Sequence, residues 1–343
     1  MKALVFNGKS DISIVDKPQP KLVNPTDAIV KVDYTTICGT DLHIIKGDVP
    51  ETTPGTTLGH EGVGTIEEAG SGVSKFKVGD KVLLSCISSC GTCEYCRRGM
   101  SSHCTTGGWI LGHTIDGTQA EYVRIPHADS SLYQVPQGVD PKTLVMLSDI
   151  FPTGFECGVL NGKVQPGSTV AIIGAGPVGL AAFLTSQLYS PSWVLMIDPD
   201  QNRLKVAQEL GVQYIAEPNT AQKVVDELTD GKGCDTIIEA VGIPATFEQC
   251  QQLVAPGGVI ANVGVHGSSV ELHLETLWAK NVSITTRLVD AVTTPTLLKM
   301  VVAGKLPAEK LITHHFKFSD MIAAYSNFQN AATQKTLKVL IEM

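Results

Sequence analysis

The sequence contains no cluster of lysine or arginine residues. Its 343 residues include 26 basic and 34 acidic side chains, which gives a net charge of −8. Proteins that bind nucleic acids or anionic membrane surfaces usually present a basic patch. We therefore expect neither partner, and we expect a small molecule as the ligand.

The sequence also lacks a recognisable export or lipidation signal. The apolar stretch at positions 1–8 is far too short for the hydrophobic region of a signal peptide. We therefore expect a cytoplasmic protein. No low-complexity linker and no internal repeat is visible either.

The sequence also has no charged residue between Val164 and Ile197. The run is long enough for a membrane span, but six glycines and prolines interrupt it between positions 166 and 179. Its β-branched and apolar pieces instead predict a buried strand, a helix and a second strand, at 169–173, 177–189 and 193–197. No membrane helix is expected.

The chain length and the order of the predicted elements indicate two domains. Up to about residue 150, short strand-like pieces alternate with Gly, Pro and Asp turns, as in a β-rich domain. After residue 150, strands alternate with helices, which is typical of a doubly wound parallel sheet. From about residue 295 the pattern is mixed again, and the strand-like segment 337–341 is expected to rejoin the first domain.

Four of the nine cysteines fall within fifteen residues, namely Cys90, Cys93, Cys96 and Cys104. Thiolates two residues apart can reach one tetrahedral metal ion from a single turn of backbone, which predicts a closed structural zinc site. An iron–sulfur cluster is the rival interpretation, but the last gap is seven residues and no proline follows Cys104. A disulfide pair is disfavoured in a cytoplasmic chain.

A glycine-rich motif, Gly174–Gly179, follows a predicted strand and begins a predicted helix. Such a turn brings backbone close to a pyrophosphate at the helix N-terminus. The next strand ends at Asp198, nineteen residues after the motif, where a carboxylate can accept hydrogen bonds from the adenosine ribose. The pair of features predicts dinucleotide binding, although glycines in a βα turn can also serve packing alone.

A second candidate metal site lies in the first domain. Cys38, Asp41 and His43 follow a strand-like run, and His60 and Glu61 come about twenty residues later. Cys, His and carboxylate side chains are the ligands of catalytic zinc. A lone buried Cys or His is more often a core residue, and only the combination favours a metal.

These motifs together resemble the zinc-dependent medium-chain alcohol dehydrogenases, and within them the bacterial secondary alcohol dehydrogenases. The resemblance covers essentially the whole chain. It implies an α/β protein with a GroES-like, β-rich catalytic domain at 1–151, a Rossmann coenzyme domain with a doubly wound parallel sheet at 152–289, and a C-terminal segment at 290–343 that returns to the catalytic domain. The active site would lie in the cleft between the domains.

The resemblance also implies residue roles. Catalytic zinc would be held by Cys38, His60 and Asp149, with Glu61 as a possible transient ligand. Classical family members have Cys where this sequence has Asp149, and the secondary alcohol dehydrogenases have Asp. Two zinc ions per chain are expected. Thr40 would accept the alcohol proton and His43 would release it to water, while Asp41 would orient a ligand.

The same resemblance assigns the coenzyme and the substrate pocket. NAD is the expected coenzyme, held by Gly174, Gly176, Pro177, Val178, Gly179, Asp198, Arg203 and Val265. The pocket wall would include Ile87, Trp109 and Leu288, which favours a small, mostly apolar alcohol or ketone. No role follows for Arg287. The related enzymes are tetramers whose coenzyme-domain sheets join edge to edge, and 280–286 is the candidate edge strand.

The sequence thus predicts a zinc-dependent oxidoreductase that transfers hydride between a secondary alcohol, or its ketone, and NAD(H). A diol or polyol dehydrogenase on the same fold is the alternative within the enzymes. A catalytically silent nucleotide-binding relative is the alternative outside them, and the presence of Cys38, His60 and Asp149 argues against it. The same residues argue against a zinc-free quinone or enoyl reductase.

Overall fold

The computed structural model describes residues 1–343, and the chain forms two compact units. The first unit combines residues 1–149 with residues 290–343, and the second unit is residues 150–289. The second unit is thus an insertion between two stretches of chain that fold together.

The first unit is rich in strands, as the sequence predicts. Its strands are β1 (Lys2–Gly8), β2 (Asp11–Asp16), β3 (Ala28–Thr36), β4 (Gly62–Ala69), β5 (Lys81–Leu84), β6 (Tyr122–Ile125), β7 (Leu132–Gln134), β14 (Ile312–Lys317) and β15 (Lys338–Glu342). β1 and β2 form an antiparallel pair. The other strands form a seven-stranded sheet in the order β14-β15-β3-β4-β5-β7, and β6 pairs with the first part of β3.

Strand β15 lies inside this sheet although it comes last in sequence. It runs parallel to β14 and antiparallel to β3, with Leu340 opposite Thr36. Four of its five residues are buried, including Lys338. Because both edges of β15 are paired, the C-terminal segment is an integral part of the first unit.

The helices of the first unit are short. They are α1 (Gly39–Lys46), α2 (Glu94–Arg97), α3 (Ala128–Ser131), α4 (Pro141–Leu144), α11 (Thr294–Val302), α12 (Met321–Gln329) and α13 (Ala331–Gln334). Cys38 occupies the N-cap position of α1. The Cys38 backbone N–H group donates a hydrogen bond to the Asp41 side chain. Side chains from β1, α1 and α12, among them Leu4, Ile44 and Tyr325, form one buried cluster.

The second unit is built on a six-stranded parallel sheet. Its strands are β8 (Thr169–Ile173), β9 (Trp193–Ile197), β10 (Tyr214–Ala216), β11 (Cys234–Glu239), β12 (Val254–Asn262) and β13 (Ser283–Thr286), in the spatial order β10-β9-β8-β11-β12-β13. Renumbered within the unit, this order is 3-2-1-4-5-6, that of the doubly wound dinucleotide-binding folds. The predicted parallel sheet is confirmed.

The helices of the second unit follow its strands. They are α5 (Ile150–Thr153), which continues as a wider π-helical turn over Gly154–Leu160, and α6 (Pro177–Ser186), α7 (Gln201–Glu209), α8 (Ala221–Thr229), α9 (Pro244–Leu253) and α10 (Leu274–Leu277). Two glycines are required where β8 leads into α6, one in the turn and one in the first turn of the helix. Gly174 has φ of +105°, and a Cβ atom on Gly179 would lie 1.8 Å from the Gly174 carbonyl oxygen.

One helical stretch, Pro141–Leu160, is long and apolar enough to cross a membrane, with a mean hydropathy of 1.3. However, 78% of its 18-residue apolar window is buried within the protein. Such burial is ordinary for a core helix, so the stretch gives only weak support for a membrane span. The uncharged segment from Val164 to Ile197 forms β8, α6 and β9 instead.

Candidate active site and metal centres

The four clustered cysteines converge in the first unit. The sulfur atoms of Cys90, Cys93, Cys96 and Cys104 all lie within 4.8 Å of one another. Cys93 is the N-cap of α2, and its sulfur accepts a hydrogen bond from the Cys96 N–H group. The predicted spacing therefore gives a tetrad of thiols that one ion could bind, and we call it the thiol lobe.

Backbone N–H groups point at the sulfurs of the thiol lobe. The sulfur of Cys90 accepts from Thr92 N at 3.5 Å and from Cys93 N at 3.3 Å. Burial opposes ionisation of Cys90, but these bonds and the Thr92 hydroxyl lower its pKa to about 5. Burial and the neighbouring thiols raise the pKa of Cys96 to about 12. Ionised thiols this close together repel one another. A divalent cation bound between them would remove that repulsion and favour the thiolate form, which is the form that binds zinc.

A second cluster joins Cys38, His60, Glu61 and Asp149, whose candidate ligand atoms lie within 4.8 Å of one another. Cys38 follows β3, His60 and Glu61 precede β4, and Asp149 lies before α5. The Asp149 Oδ2 atom lies 3.5 Å from the Cys38 sulfur and 3.2 Å from His60 Nε2. Sulfur, nitrogen and oxygen donors thus meet at one point, which we call the open cluster.

The open cluster concentrates acidic groups in a buried place. Burial, and then the Asp149 carboxylate, raise the pKa of the Cys38 thiol. Burial raises the pKa of Glu61 to about 7, against the opposing effect of the Lys338 ammonium. Burial opposes protonation of His60, but the hydrogen bond to Asp149 raises its pKa well above the usual value. Negative groups gathered in this way favour a divalent cation.

Two observations show that the open cluster suits zinc. Its donor set of one thiolate, one imidazole and carboxylates is that of catalytic zinc sites. In addition, Glu61 Oε1 is buried and makes no hydrogen bond. An unpaired buried carboxylate oxygen is costly, and a nearby cation would relieve that cost.

The carboxylates around the open cluster are themselves fixed. Asp41 is 1% exposed, and its Oδ1 atom lies 4.0 Å from His60 Nδ1. Glu61 Oε2 forms an ion pair of 2.5 Å with Lys338 Nζ, which also donates to the Ile37 carbonyl oxygen at 3.1 Å. Both residues of this pair have 1% exposed side chains. The positions predicted for supporting carboxylates therefore lie against the cluster.

The proposed proton-transfer residues lie on α1. Thr40 Oγ1 is 3.7 Å from the Cys38 sulfur, so this hydroxyl borders the open cluster. His43 lies one turn further on, with 43% of its side chain exposed, and its Nδ1 atom is 3.0 Å from Asp48 Oδ2. Thr40 is thus near the donor atoms of the open cluster, and His43 is near solvent.

Of the predicted pocket residues, Trp109 lies beside the open cluster. Its ring meets the His60 ring edge-on, with 6.5 Å between centroids, and stacks on His113 at 4.1 Å. Ile87 is 2% exposed, and in the second unit Leu288 is 47% exposed. Arg287 is also exposed.

The second unit arranges the predicted coenzyme residues at the carboxyl ends of β8 and β9. Asp198 is 4% exposed, and its carboxylate accepts Ala175 N and Asp200 N, each at 2.8 Å. Arg203 Nη1 lies 3.8 Å from the same carboxylate. The glycine-rich turn is therefore tied to Asp198. Gly176, Pro177 and Val178, which were also predicted to bind the coenzyme, form the start of α6. Val265 follows β12 and is 70% exposed.

Comparison with known proteins gives the class. Residues 24–137 match the model of the alcohol dehydrogenase GroES-like domain, and residues 165–303 match that of the zinc-binding dehydrogenases. An alcohol dehydrogenase from Cupriavidus necator is 35% identical over 96% of this chain and 95% of its own. The chain therefore belongs to the zinc-dependent medium-chain alcohol dehydrogenase family, an enzyme family of oxidoreductases.

Solved structures agree with this class. Zinc-dependent alcohol dehydrogenase 2 from Streptococcus pneumonia, in its apo form, is 52% identical with a TM-score of 0.96, covering 100% of this chain and 98% of that chain. The alcohol dehydrogenase TADH from Thermus sp. ATN1 is 32% identical with a TM-score of 0.93, covering 100% and 99%. The predicted family and the predicted GroES-like plus Rossmann fold are confirmed.

Three residues near the open cluster escaped sequence reasoning: Gln119, Tyr325 and Lys338. Lys338 could have been found from the sequence, because a lysine inside the apolar run 337–341 is unexpected unless it has a buried acidic partner. Gln119 and Tyr325 carried no such signal, since neither lies in a recognisable motif.

Proposed function

We propose that the protein is an NAD-dependent zinc dehydrogenase of secondary alcohols that also reduces the corresponding ketones. The observation that carries this proposal is the convergence of Cys38, His60 and Asp149 donors in the open cluster. Membership of the alcohol dehydrogenase family supplies the reaction type. Asp149 supports a secondary alcohol as the substrate, because the secondary alcohol dehydrogenases that this sequence resembles have Asp at this position.

Zinc held by Cys38, His60 and Asp149 would act as a Lewis acid that lowers the pKa of an alcohol hydroxyl. In the proposed mechanism the Thr40 hydroxyl, which borders these ligands, would accept the alcohol proton, and His43 would receive it on the way to solvent. His43 is half-exposed and can release the proton to water. Bound NAD would supply the acceptor for the hydride that leaves the alcohol carbon.

The coenzyme proposal rests on Asp198. A carboxylate at the end of the second strand of a Rossmann sheet accepts hydrogen bonds from the ribose hydroxyls of NAD, whereas it repels the 2′-phosphate of NADP. Each oxygen of Asp198 accepts one backbone N–H bond, which leaves further acceptor capacity. Arg203 is the nearest cation, at 3.8 Å, and the Asp198 carboxylate already pairs with it.

A small apolar substrate fits the surroundings of the open cluster. The Trp109 ring beside His60 is large and apolar, and Thr40 is the only predicted catalytic hydroxyl there. Such a wall favours short aliphatic chains over polyols, whose hydroxyls need several polar partners.

We further propose a cytoplasmic homotetramer. All nine cysteines are free of disulfides, and four of them form the thiol lobe, which suits a reducing compartment. Strand β13 is the outermost strand of its sheet and exposes Ile284, so its free edge is available for pairing with a second copy.

A coenzyme-coupled absorbance screen tests the proposed reaction. Secondary alcohols, primary alcohols, diols and polyols are each offered with NAD and with NADP. We expect the highest kcat/KM for a small secondary alcohol with NAD. A clear preference for polyols would replace the proposal with the polyol alternative, and no turnover of any class would support a silent relative.

Zinc analysis tests the assignment of ligands. We expect two zinc ions per chain in the purified protein, and one in Cys38→Ser or Asp149→Ala, with loss of turnover. Cys157→Ser is the matched control, because Cys157 is buried at 1% exposure outside both clusters. One zinc in the wild-type protein, or two in Asp149→Ala, would overturn the assignment.

A further inference from the structure

The side chain of Gln119 lies at the centre of a buried hydrogen-bond network behind the open cluster. It is 0% exposed, and its amide makes three hydrogen bonds, all to protein groups. Its Nε2 atom donates to the Thr36 carbonyl oxygen at 3.1 Å and to Asp41 Oδ2 at 3.0 Å. Its Oε1 atom accepts from the Tyr325 hydroxyl at 2.8 Å. Both hydrogens and the oxygen of the amide are thus used.

The partners of Gln119 fix which way its amide points. Thr36 O and Asp41 Oδ2 accept only, so the NH₂ group must face them. The Tyr325 side chain is 2% exposed, and burial raises the pKa of its hydroxyl well above the usual value, so it keeps its proton and donates to Oε1. A flipped amide would place its oxygen against two other oxygens, which is unfavourable in a buried site.

The two oxygens of the Asp41 carboxylate have different surroundings, and the Gln119 amide contacts only one of them. Oδ2 is fully engaged, because it accepts from Gln119 and from the Cys38 N–H group at 3.0 Å. Oδ1 makes no hydrogen bond and is the oxygen that faces His60 Nδ1, at 4.0 Å. His60 Nε2 points the other way, towards Asp149. The chain of contacts therefore runs from Tyr325 through Gln119 and Asp41 to the imidazole of His60.

We propose that Gln119, held by Tyr325, is a positioning residue for catalytic zinc: it fixes Asp41 so that Oδ1 orients His60 through Nδ1 and leaves Nε2 for the metal. This inference rests on the proposed ligand set of the open cluster. Groups that orient a ligating histidine typically change metal affinity by about 10–100-fold when removed. Asp41 is thus supported by two residues far away in sequence, Gln119 directly and Tyr325 on α12 through Gln119.

Zinc release measures this role directly. The zinc-loaded enzyme is mixed with a chromogenic chelator, and loss from the open cluster is separated from loss from the thiol lobe by repeating the measurement on Cys38→Ser. We expect Gln119→Met, which keeps the side-chain length but not the donors, to release the open-cluster zinc about 10–100-fold faster than wild type. Release from the thiol lobe should not change.

Tyr325→Phe is the milder variant and covers the case in which Gln119→Met does not fold. It keeps the ring but removes the donor to Oε1, and we expect release about 10-fold faster. The matched control is Gln251→Met, a glutamine in the second unit that is 4% exposed and bonded at both ends of its amide. Gln251→Met should leave zinc release unchanged although it removes similar bonds.

Cobalt substitution gives a second readout. In the cobalt-loaded enzyme, Gln119→Met should shift the visible ligand-field bands of the open cluster, because the His60 ring is no longer held. Unchanged release and unchanged bands in folded Gln119→Met and Tyr325→Phe would overturn the inference and leave the proposed function intact. A wild-type protein without zinc in the open cluster would instead overturn the proposed function.

Discussion

The ion pair of Lys338 and Glu61 is the most completely buried pair of charges near the open cluster. Lys338→Met would leave the Glu61 carboxylate without its cation. Removing one partner of a buried pair typically costs about 3–5 kcal/mol, whereas removing both costs less. We therefore expect Lys338→Met to lower the free energy of unfolding by about 3–5 kcal/mol, and the double variant with Glu61→Gln to recover part of it.

Denaturant titration of the zinc-loaded proteins checks this expectation. Lys305→Met, on an exposed lysine, serves as the control and should have little effect. A Lys338→Met protein as stable as wild type would show that Glu61 finds another partner.

The Thr40 hydroxyl gives a prediction about turnover. If it accepts the alcohol proton, Thr40→Ala should lower kcat by about 10²- to 10⁴-fold, because general acid–base groups contribute that much. Thr40→Ser keeps the hydroxyl and should keep most of the activity. Steady-state kinetics with one secondary alcohol measures both, and a loss in Thr40→Ala below about tenfold would move the role to water or to another group.

The Asp198 carboxylate gives a prediction about coenzyme choice. The wild-type protein should prefer NAD, and Asp198→Gly should weaken NAD and relieve the repulsion of the NADP phosphate. Arg203, released from its 3.8 Å contact with Asp198, would then be free to contact that phosphate. The ratio of kcat/KM for the two coenzymes checks this, and an unchanged ratio in Asp198→Gly would mean that the carboxylate does not face the ribose.

At the residue scale, local spacing identifies candidate zinc ligands, but it does not identify the residues that hold those ligands in place. The thiol lobe is spanned by fifteen residues, so its spacing is visible in the sequence. The contacts behind the open cluster join residues far apart: Asp41 with Gln119 across 78 positions, Gln119 with Tyr325 across 206, and Lys338 with Glu61 across 277. No local pattern reports such contacts, because they depend on how strands and helices pack.

The elements of the second unit were the easiest to predict. The expected strands at 169–173 and 193–197 coincide with β8 and β9, because buried parallel strands are continuous runs of apolar and β-branched residues. The apolar run at 259–263 also predicts a strand from the sequence, but β12 is longer than this run because it begins at Val254. Pro256 and two glycines at its start concealed that beginning.

One histidine links two helices of this unit. His273 Nε2 lies 2.8 Å from Glu248 Oε2 on α9, and Nδ1 lies 3.0 Å from Glu275 Oε1 on α10. The bond to Glu275, and then the charge of Glu248, raise the pKa of His273 above its ordinary value of 6.5. A raised pKa in the folded state means that the stabilisation is complete below pH 6.5 and is lost as the pH rises through the folded-state pKa.

We therefore expect His273→Gln to lower the melting temperature more at about pH 6 than at about pH 9. Thermal unfolding of both proteins across this range, at constant zinc, measures the difference. His314→Gln is the control, because His314 is half-buried and its Nδ1 atom lies 3.0 Å from the Thr313 hydroxyl rather than from a carboxylate. A difference that is constant with pH would show that the charge of His273 does not stabilise this link.

At the scale of the whole molecule, the exposed edge of β13 bears on assembly. Ile284 on this strand is 37% exposed, and Trp278, which precedes it, is 77% exposed. Free strand edges flanked by apolar side chains are usually covered in soluble proteins. We expect a homotetramer by light scattering, and Ile284→Lys should dissociate it into smaller species.

Ile322→Lys is the matched control for this variant. Ile322 is 48% exposed on α12 of the first unit, so the same charge is added to a surface away from β13. It should leave the assembly unchanged. A monomeric wild-type protein at micromolar concentration would refute the tetramer.

The position of β15 between β14 and β3 has a consequence for biogenesis. On the ribosome, all of residues 150–289 are made before β15, so the second unit can fold while the first still lacks an inner strand. The nascent chain then holds the three candidate zinc ligands without Lys338 or Tyr325. We expect the thiol lobe, whose ligands lie close together, to acquire its metal first, and the open cluster to mature only after the last strand is released.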